Sequence, residues 1–234
     1  MIADAFVRLF YIDKGDWKML EKMDSFFEAR VDGYDEHMKS AIEGASDFYE
    51  YTASLLPRKD AANALDLGCG TGLELEEYFK FNPNAKVTGI DLTKAMLDAL
   101  KEKFPDKDLN LICGSYFEVA FAEDEYDAAV SVESLHHFTK DEKIPLYRNL
   151  HKALKENGFF ILTDCFATSD EEEKSLREEL LKIRKENNLK DDEFYHFDTP
   201  LTVEHEVEAL KTAGFKNVEV LKNWSITYVL KAYK

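Results

Sequence analysis

Ala64-Leu65-Asp66-Leu67-Gly68-Cys69-Gly70-Thr71-Gly72 reads as a short buried strand that ends in three glycines at alternate positions. The helical run Leu73-Glu74-Leu75-Glu76-Glu77-Tyr78-Phe79-Lys80 follows it. Glycines at such a turn let the backbone bend tightly and approach a ligand that any Cβ would obstruct. A nucleotide-like cofactor is the leading use of a strand, glycine turn and helix in that order.

Asp91 supplies the second half of the signal. It ends Lys86-Val87-Thr88-Gly89-Ile90, a second apolar strand, and lies 19 positions after Gly72, enough for one crossover helix. Its carboxylate therefore emerges beside the glycine turn, where it can bind two ribose hydroxyls. A nicotinamide-binding turn wants G-x-G-x-x-G, whereas Gly72 is followed by Leu73, so hydride transfer fits poorly. Glu74, Glu76 and Glu77 weaken the positive field at the helix start and make a poor neighbourhood for phosphate.

Leu65 to Gly72, together with Gly89-Ile90-Asp91-Leu92 and Tyr126-Asp127-Ala128-Ala129-Val130-Ser131, resembles the S-adenosylmethionine-dependent class I methyltransferase family over roughly residues 45 to 165. The resemblance implies a Rossmann-like, doubly wound seven-stranded α/β sheet of order 3-2-1-4-5-7-6 with strand 7 antiparallel. It implies S-adenosylmethionine as cofactor. The turn Gly68, Cys69, Gly70, Thr71 and Gly72 would line the sugar and methionine side, and Asp66 would help hold the amino group. Asp91 would bind the ribose, with Leu92 and Met96 covering the adenine. Ser115 stands where such enzymes often place an acid against the adenine amino group. It offers a hydrogen bond but no charge, so adenine recognition would lean on Tyr116 or the backbone, and a plain turn residue is the other reading. Tyr34 stands where a contact to the methionine end is common, with core packing as its alternative.

The formal charge of −17, from 47 acidic and 30 basic residues, repels a polyanion and disfavours nucleic acid as substrate. The 234 residues, 45% of them hydrophobic, suit one substantial domain with a small cap. No apolar stretch approaches the roughly 18 residues of a membrane span, and no signal peptide opens the chain, so a cytoplasmic enzyme is expected. Cys69, Cys113 and Cys165 lack C-x-x-C spacing and read as buried free thiols.

Residues 1–60 form the expected cap. The apolar stretch 5–12 leaves open an extra strand, a short helix or a homodimer contact. Helical patterns follow over residues 19–38, interrupted, and over 46–56. Thr93 is the expected cap of the helix to Lys103, and Thr139 with Glu142 makes a capping box for residues 139–155. Further strands are expected at 109–113, 126–132 and 158–163. Strand and helix alternate through residues 61–165, and 201–234 complete the core with a helix from Thr202 to Gly214 and strands at 217–221 and 225–232 joined by 222–224. Residues 166–200 read as a lid-like insertion: a helix capped by Ser169 or Asp170, with Leu176, Leu180, Leu181 and Ile183 on one face, then the aromatic loop Phe194-Tyr195-His196-Phe197-Asp198.

Val132-Glu133-Ser134-Leu135-His136-His137-Phe138 leaves the fourth strand on the functional edge. His136 and His137 are candidates for a base or for positioning an acceptor, with packing as the alternative. Val132 and Glu133 join the expected cofactor contacts; Glu133 offers its carboxylate to the cofactor ammonium or to a cationic acceptor, with surface solvation as its other reading. Asp164, after strand five, and Tyr195 and His196, from the lid, are candidate substrate contacts. Consecutive histidines diverge in regular structure, so no metal is expected. A small-molecule methyltransferase is the leading function. A tRNA-modifying enzyme or a group transferase using a modified donor is the rival within the cofactor class, and a non-catalytic cofactor-binding regulator is the rival outside it.

Overall fold

The computed structural model describes residues 20–190 and 192–234; the apolar stretch 5–12 lies outside them. Three helices lead in: α1 (Met23–Glu28), α2 (Tyr34–Ala41) and α3 (Ala45–Leu55). The central layer then alternates as β1 (Asn63–Leu67), α4 (Leu73–Phe81), β2 (Lys86–Asp91), α5 (Lys94–Lys103) and β3 (Asp108–Cys113). It continues as β4 (Tyr126–Val132), a 3-10 turn (Leu135–His137), α6 (Lys140–Ala153), β5 (Leu154–Cys165), α7 (Asp170–Glu186), α8 (Val203–Ala213), β6 (Asn217–Trp224) and β7 (Thr227–Tyr233).

The seven strands order as β3-β2-β1-β4-β5-β7-β6, with β7 antiparallel to both neighbours. β1 and β4 lie at the centre and are apolar on both faces, as a sheet covered on both sides demands. Alternation divides them between two cores. Leu65, Leu67 and Ala129 join the cluster under α6 and α8, whereas Ala64, Ala128 and Val130 join the one under α3 and α4. All the parallel strands end along one edge, where the glycine turn, Asp91 and the 135–137 turn leave the sheet.

The capping box at Thr139 forms as expected, with Glu142 Oε2 accepting from the Thr139 amide at 2.8 Å. Thr202 and Ser169 cap α8 and α7 through their side chains. Thr93 does not cap α5 in this way. Its amide donates to Asp91 Oδ1 at 2.8 Å, and its hydroxyl makes no capping bond.

Two strand boundaries differ from expectation. β5 opens at Leu154, opposite Tyr126, and pairing resumes only at Phe159 with Ala128, so residues 155–158 bulge within the strand, with Asn157 at φ +67°. In the terminal hairpin the turn is Ser225-Ile226 rather than 222–224. Trp224 stays in the ladder because its ring packs on α3, 5.8 Å from Tyr51 and 6.2 Å from Phe48.

The apolar face of α7 is not buried as its spacing suggested. Ile183 is buried, but Leu181 remains 59% exposed. Polar ties hold the helix instead, since Glu173 Oε2 accepts from the Thr202 amide (2.7 Å) and lies 2.8 Å from His205 Nδ1. The thiols are free; Cys69 and Cys165 are buried, whereas Cys113 is exposed on the outer part of the sheet. Among the described residues, no helix is long and apolar enough to cross a membrane.

Candidate functional site

Beyond β1 the backbone turns back on the end of β2. Gly68 and Cys69 amides both donate to Ile90 O, at 2.8 and 3.2 Å, and Gly70 donates to Asp91 Oδ2 at 2.9 Å. Gly68 sits at φ +72°, where a Cβ would also run into Ser134, 2.6 Å from its Cβ. Gly70 has φ +48°, and a Cβ there would meet only Tyr34 Cε1 at 3.9 Å. The missing side chain leaves a cradle open toward the cleft.

The cleft opens beside the Gly70 cradle. It is lined by Tyr34, Gly68, Gly70, Asp91, Leu92, Met96, Ser115, Tyr116, Val132, Glu133 and His137, all of them expected. Met23, Phe27, Gly114, Ser134, Phe138 and Phe194 complete the wall and were missed. Ser134 had no signal of its own; its backbone carbonyl and hydroxyl both lie 3.2 Å from the Tyr116 hydroxyl. Phe194 and Met23 arrive together because Met23 N donates to Phe194 O at 3.0 Å. That pairing joins the N-terminal helix to the loop after α7.

Eight other expected residues stand behind or beside this wall. Cys69 is buried against Gly89, Gly72 packs on Leu100, and the Thr71 hydroxyl donates to Asp35. Asp35 in turn lies 2.5 Å from Lys103, so the glycine turn is braced from α2 and α5. Asp66 is buried beneath the turn beside Glu74. Burial first, then the adjacent Glu74 carboxyl, pushes the Asp66 pKa well up, and burial likewise raises Glu74. Each carboxyl opposes ionisation of the other, because charge at close range out of water is disfavoured. Glu74, read from sequence for its effect on phosphate, is thus part of the floor.

Tyr195 turns away from the cleft: its hydroxyl donates to Glu193 at 2.8 Å, and its backbone bridges to Lys22. His196 stacks on Phe26 with centroids 3.7 Å apart, walled off behind His137, whose ring lies 5.0 Å away. Asp164 and His136 form a buried pair, Nδ1 to Oδ1 2.5 Å, with Asp164 also accepting from the Leu135 and Cys165 amides.

The adjacent histidines converge, contrary to expectation. Their rings lie 4.1 Å apart where the 3-10 turn leaves the sheet. Both approach Asp198 Oδ1, His136 through Nε2 at 3.4 Å and His137 through Nδ1 at 3.2 Å. Burial lowers the His136 pKa, but Cys165, Asp164 and Asp198 raise it by more, so it rests well above the usual histidine value. Burial and the neighbouring His136 lower that of His137. Burial, Asp164 and Asp198 lift Glu133 to about 8 against the opposing effects of His136 and Thr227. Asp198 itself carried no spacing signal, because a loop residue acquires its neighbours only on folding.

The acidic cleft and the Gly70 cradle suit a cationic sulfonium nucleoside, which fits the expected cofactor. Residues 64–158 match the family model described as a methyltransferase domain. The carboxy-S-adenosyl-L-methionine synthase of Nautilia profundicola is 25% identical over 95% of this chain and 99% of its own. The 24-methylenesterol C-methyltransferase 3 of Arabidopsis thaliana is also 25% identical, over 68% of this chain; the match spans 49% of that relative, about half its length. Human N-acetylserotonin methyltransferase, solved with S-adenosylmethionine, shares the fold at a TM-score of 0.63 and 18% identity, covering 90% of this chain and 56% of that one. With the sheet order, the cleft at its carboxyl edge and the match over residues 64–158 in agreement, the chain carries a methyltransferase domain of the class I, S-adenosylmethionine-dependent type.

Proposed function

We propose that this enzyme transfers the methyl group of S-adenosylmethionine to a small-molecule acceptor by direct displacement. The bound cofactor supplies a methyl group on a positively charged sulfur. The chain's part is to grip, align and dehydrate, which can provide much of the rate without a covalent intermediate. Asp91 takes the ribose while its oxygens remain braced by the Gly70 and Thr93 amides. Leu92 and Met96 cover the base, Ser115 and Tyr116 border it, and Tyr34, Glu133 and the Asp66-Glu74 pair face the cationic end. His137 lines the acceptor side, with α1 to α3 and the insertion carrying α7 acting as cap and lid over the core.

The observation that carries this reading is the pairing of Asp91 with an unobstructed Gly70 at the mouth of an acidic cleft. Titration calorimetry should show S-adenosylmethionine and S-adenosylhomocysteine competing for one site at micromolar concentrations. Absence of heat or competition for both would count decisively against it. Methyl-labelled cofactor incubated with fractionated small metabolites then identifies the acceptor.

A second reading, alteration of the cofactor itself, is favoured by the full-length alignment to carboxy-S-adenosyl-L-methionine synthases. Mass analysis of the nucleoside left after turnover separates the two. Methyl transfer leaves S-adenosylhomocysteine, whereas cofactor carboxylation leaves a nucleoside heavier than the input.

A further inference from the structure

The loop after α7 is tied to the histidine turn by its backbone. Thr199 N donates to His136 O at 2.9 Å, Thr199 Oγ1 donates to His137 O at 3.1 Å, and His137 Nδ1 lies 3.2 Å from Phe197 O. A carbonyl oxygen only accepts, so Nδ1 carries the ring proton and Nε2 keeps its lone pair. Asp198 approaches the same Nδ1 at ion-pair distance and reaches across to His136 Nε2. His136 is held from its other side by Asp164. With a carboxylate near each nitrogen the His136 cation is favoured, and that charge in turn favours ionised Asp198 despite burial.

We infer that Asp198 is a positioning residue for a base at His137: the insertion loop supplies the Phe197 carbonyl that sets the ring's tautomer and, next to it, the Asp198 carboxylate that balances the charge when the ring gains a proton. This rests on the methyl-transfer reading. In the transfer, the acceptor's lone pair bonds to the methyl carbon as the carbon–sulfur bond breaks, and that bond's electron pair stays on sulfur and cancels its charge. The proton left on the acceptor heteroatom passes to His137 Nε2, and the resulting imidazolium rests beside Asp198. The arrangement makes the base dependent on a seated insertion loop, since Phe197 and Asp198 both approach the ring nitrogen Nδ1 and His196 packs on the ring.

Other charged and titratable groups face this cluster. Glu133 Oε2 lies 4.0 Å from His136 Nδ1, Cys165 adjoins that ring, His196 adjoins His137, and Arg30 covers Phe26 on the far side of His196. The test must therefore resolve individual rings. Nitrogen NMR of the full chain, 15N-labelled at histidine and saturated with S-adenosylhomocysteine, reads tautomer and titration for each.

The expected wild-type spectrum shows neutral His137 protonated at Nδ1, with His136 cationic through neutral pH. In Asp198→Asn, His136 should lose about one pKa unit or more and His137 should become harder to protonate while Phe197 keeps its tautomer. Asp198→Glu should restore both signatures. Asp164→Asn should move His136 while leaving the His137 tautomer in place. A wild-type His137 protonated at Nε2, or an Asp198→Asn spectrum matching wild type, overturns the inference. If Asp198→Asn does not fold, the wild-type tautomer and the His136 and His137 titrations of Asp198→Glu decide. Failure of S-adenosylhomocysteine to perturb any resonance instead counts against the methyltransferase reading and leaves the tautomer result standing.

Discussion

Asp91 Oδ2 accepts a hydrogen bond from the Gly70 amide at 2.9 Å, across the gap between the ends of β2 and β1. One carboxylate thus braces the turn while lining the cleft. Burial raises its pKa and the Thr93 and Gly70 amides counter this.

Asp91→Ala should weaken S-adenosylhomocysteine binding by about 1.5–3 kcal/mol per lost charged hydrogen bond, roughly ten-fold to more than a hundred-fold. Asp91→Asn, which keeps the shape and part of the acceptor capacity, should fall between. Calorimetric affinities with unchanged far-ultraviolet dichroism check this; equal affinities for Asp91→Ala and wild type would remove Asp91 from the site.

Gly68→Ala should damage fold and site together. The left-handed backbone costs a non-glycine residue about 1–2 kcal/mol, and the new methyl displaces Ser134 and with it the Tyr116 hydroxyl. A lower denaturant midpoint should accompany weaker cofactor binding. Gly33, also at positive φ but with no atom within 4 Å of a Cβ, is the control: Gly33→Ala should show the backbone cost alone.

Glu133, with its pKa raised to about 8, is protonated at neutral pH in the folded protein and ionised there in the unfolded chain. The folded state binds the extra proton, so this group's contribution to stability falls as pH rises from the ordinary carboxylate range to about 8. Ionisation through that upper limit adds negative charge to the cleft, so affinity for the cationic cofactor should rise between neutral and mildly alkaline pH. Glu133→Gln should flatten both trends. Unfolding and binding measured across pH would show the reverse slope if the assignment is wrong.

Lys143 and Glu206 form an ion pair of 2.6 Å with side chains only 2% and 1% exposed, and the Tyr147 hydroxyl donates to the same carboxylate. Glu206→Ala strands a buried ammonium and should cost about 3–5 kcal/mol in denaturant unfolding. Replacing Lys143 and Glu206 together by methionine should recover most of that loss, since no unpaired charge remains. A double variant as unstable as the single one would contradict this account.

Much of the architecture was legible because it rests on local, repeated signals. The glycine turn, the alternation of apolar strands with capped helices and the 19-residue step to Asp91 identify a doubly wound sheet and its cofactor edge. Ten of the eleven expected contacts line one cleft for that reason, since the residues at and after the ends of β1 to β4 emerge along one edge, and Tyr34 joins them from α2.

The surroundings of those residues depended on long-range packing. Sequence spacing could not show that a 3-10 turn would bring His136 and His137 to one carboxylate, or that the partner would be Asp198, about 60 residues downstream. It could not show Glu74 beneath the turn beside Asp66, or His196 stacked away from the cleft. Periodicity and turn chemistry act over a few residues and so determined the sheet and its ligand edge. Burial, charge pairing and the packing of the loop after α7 act between distant segments, and only the tertiary structure decided which side chains meet there.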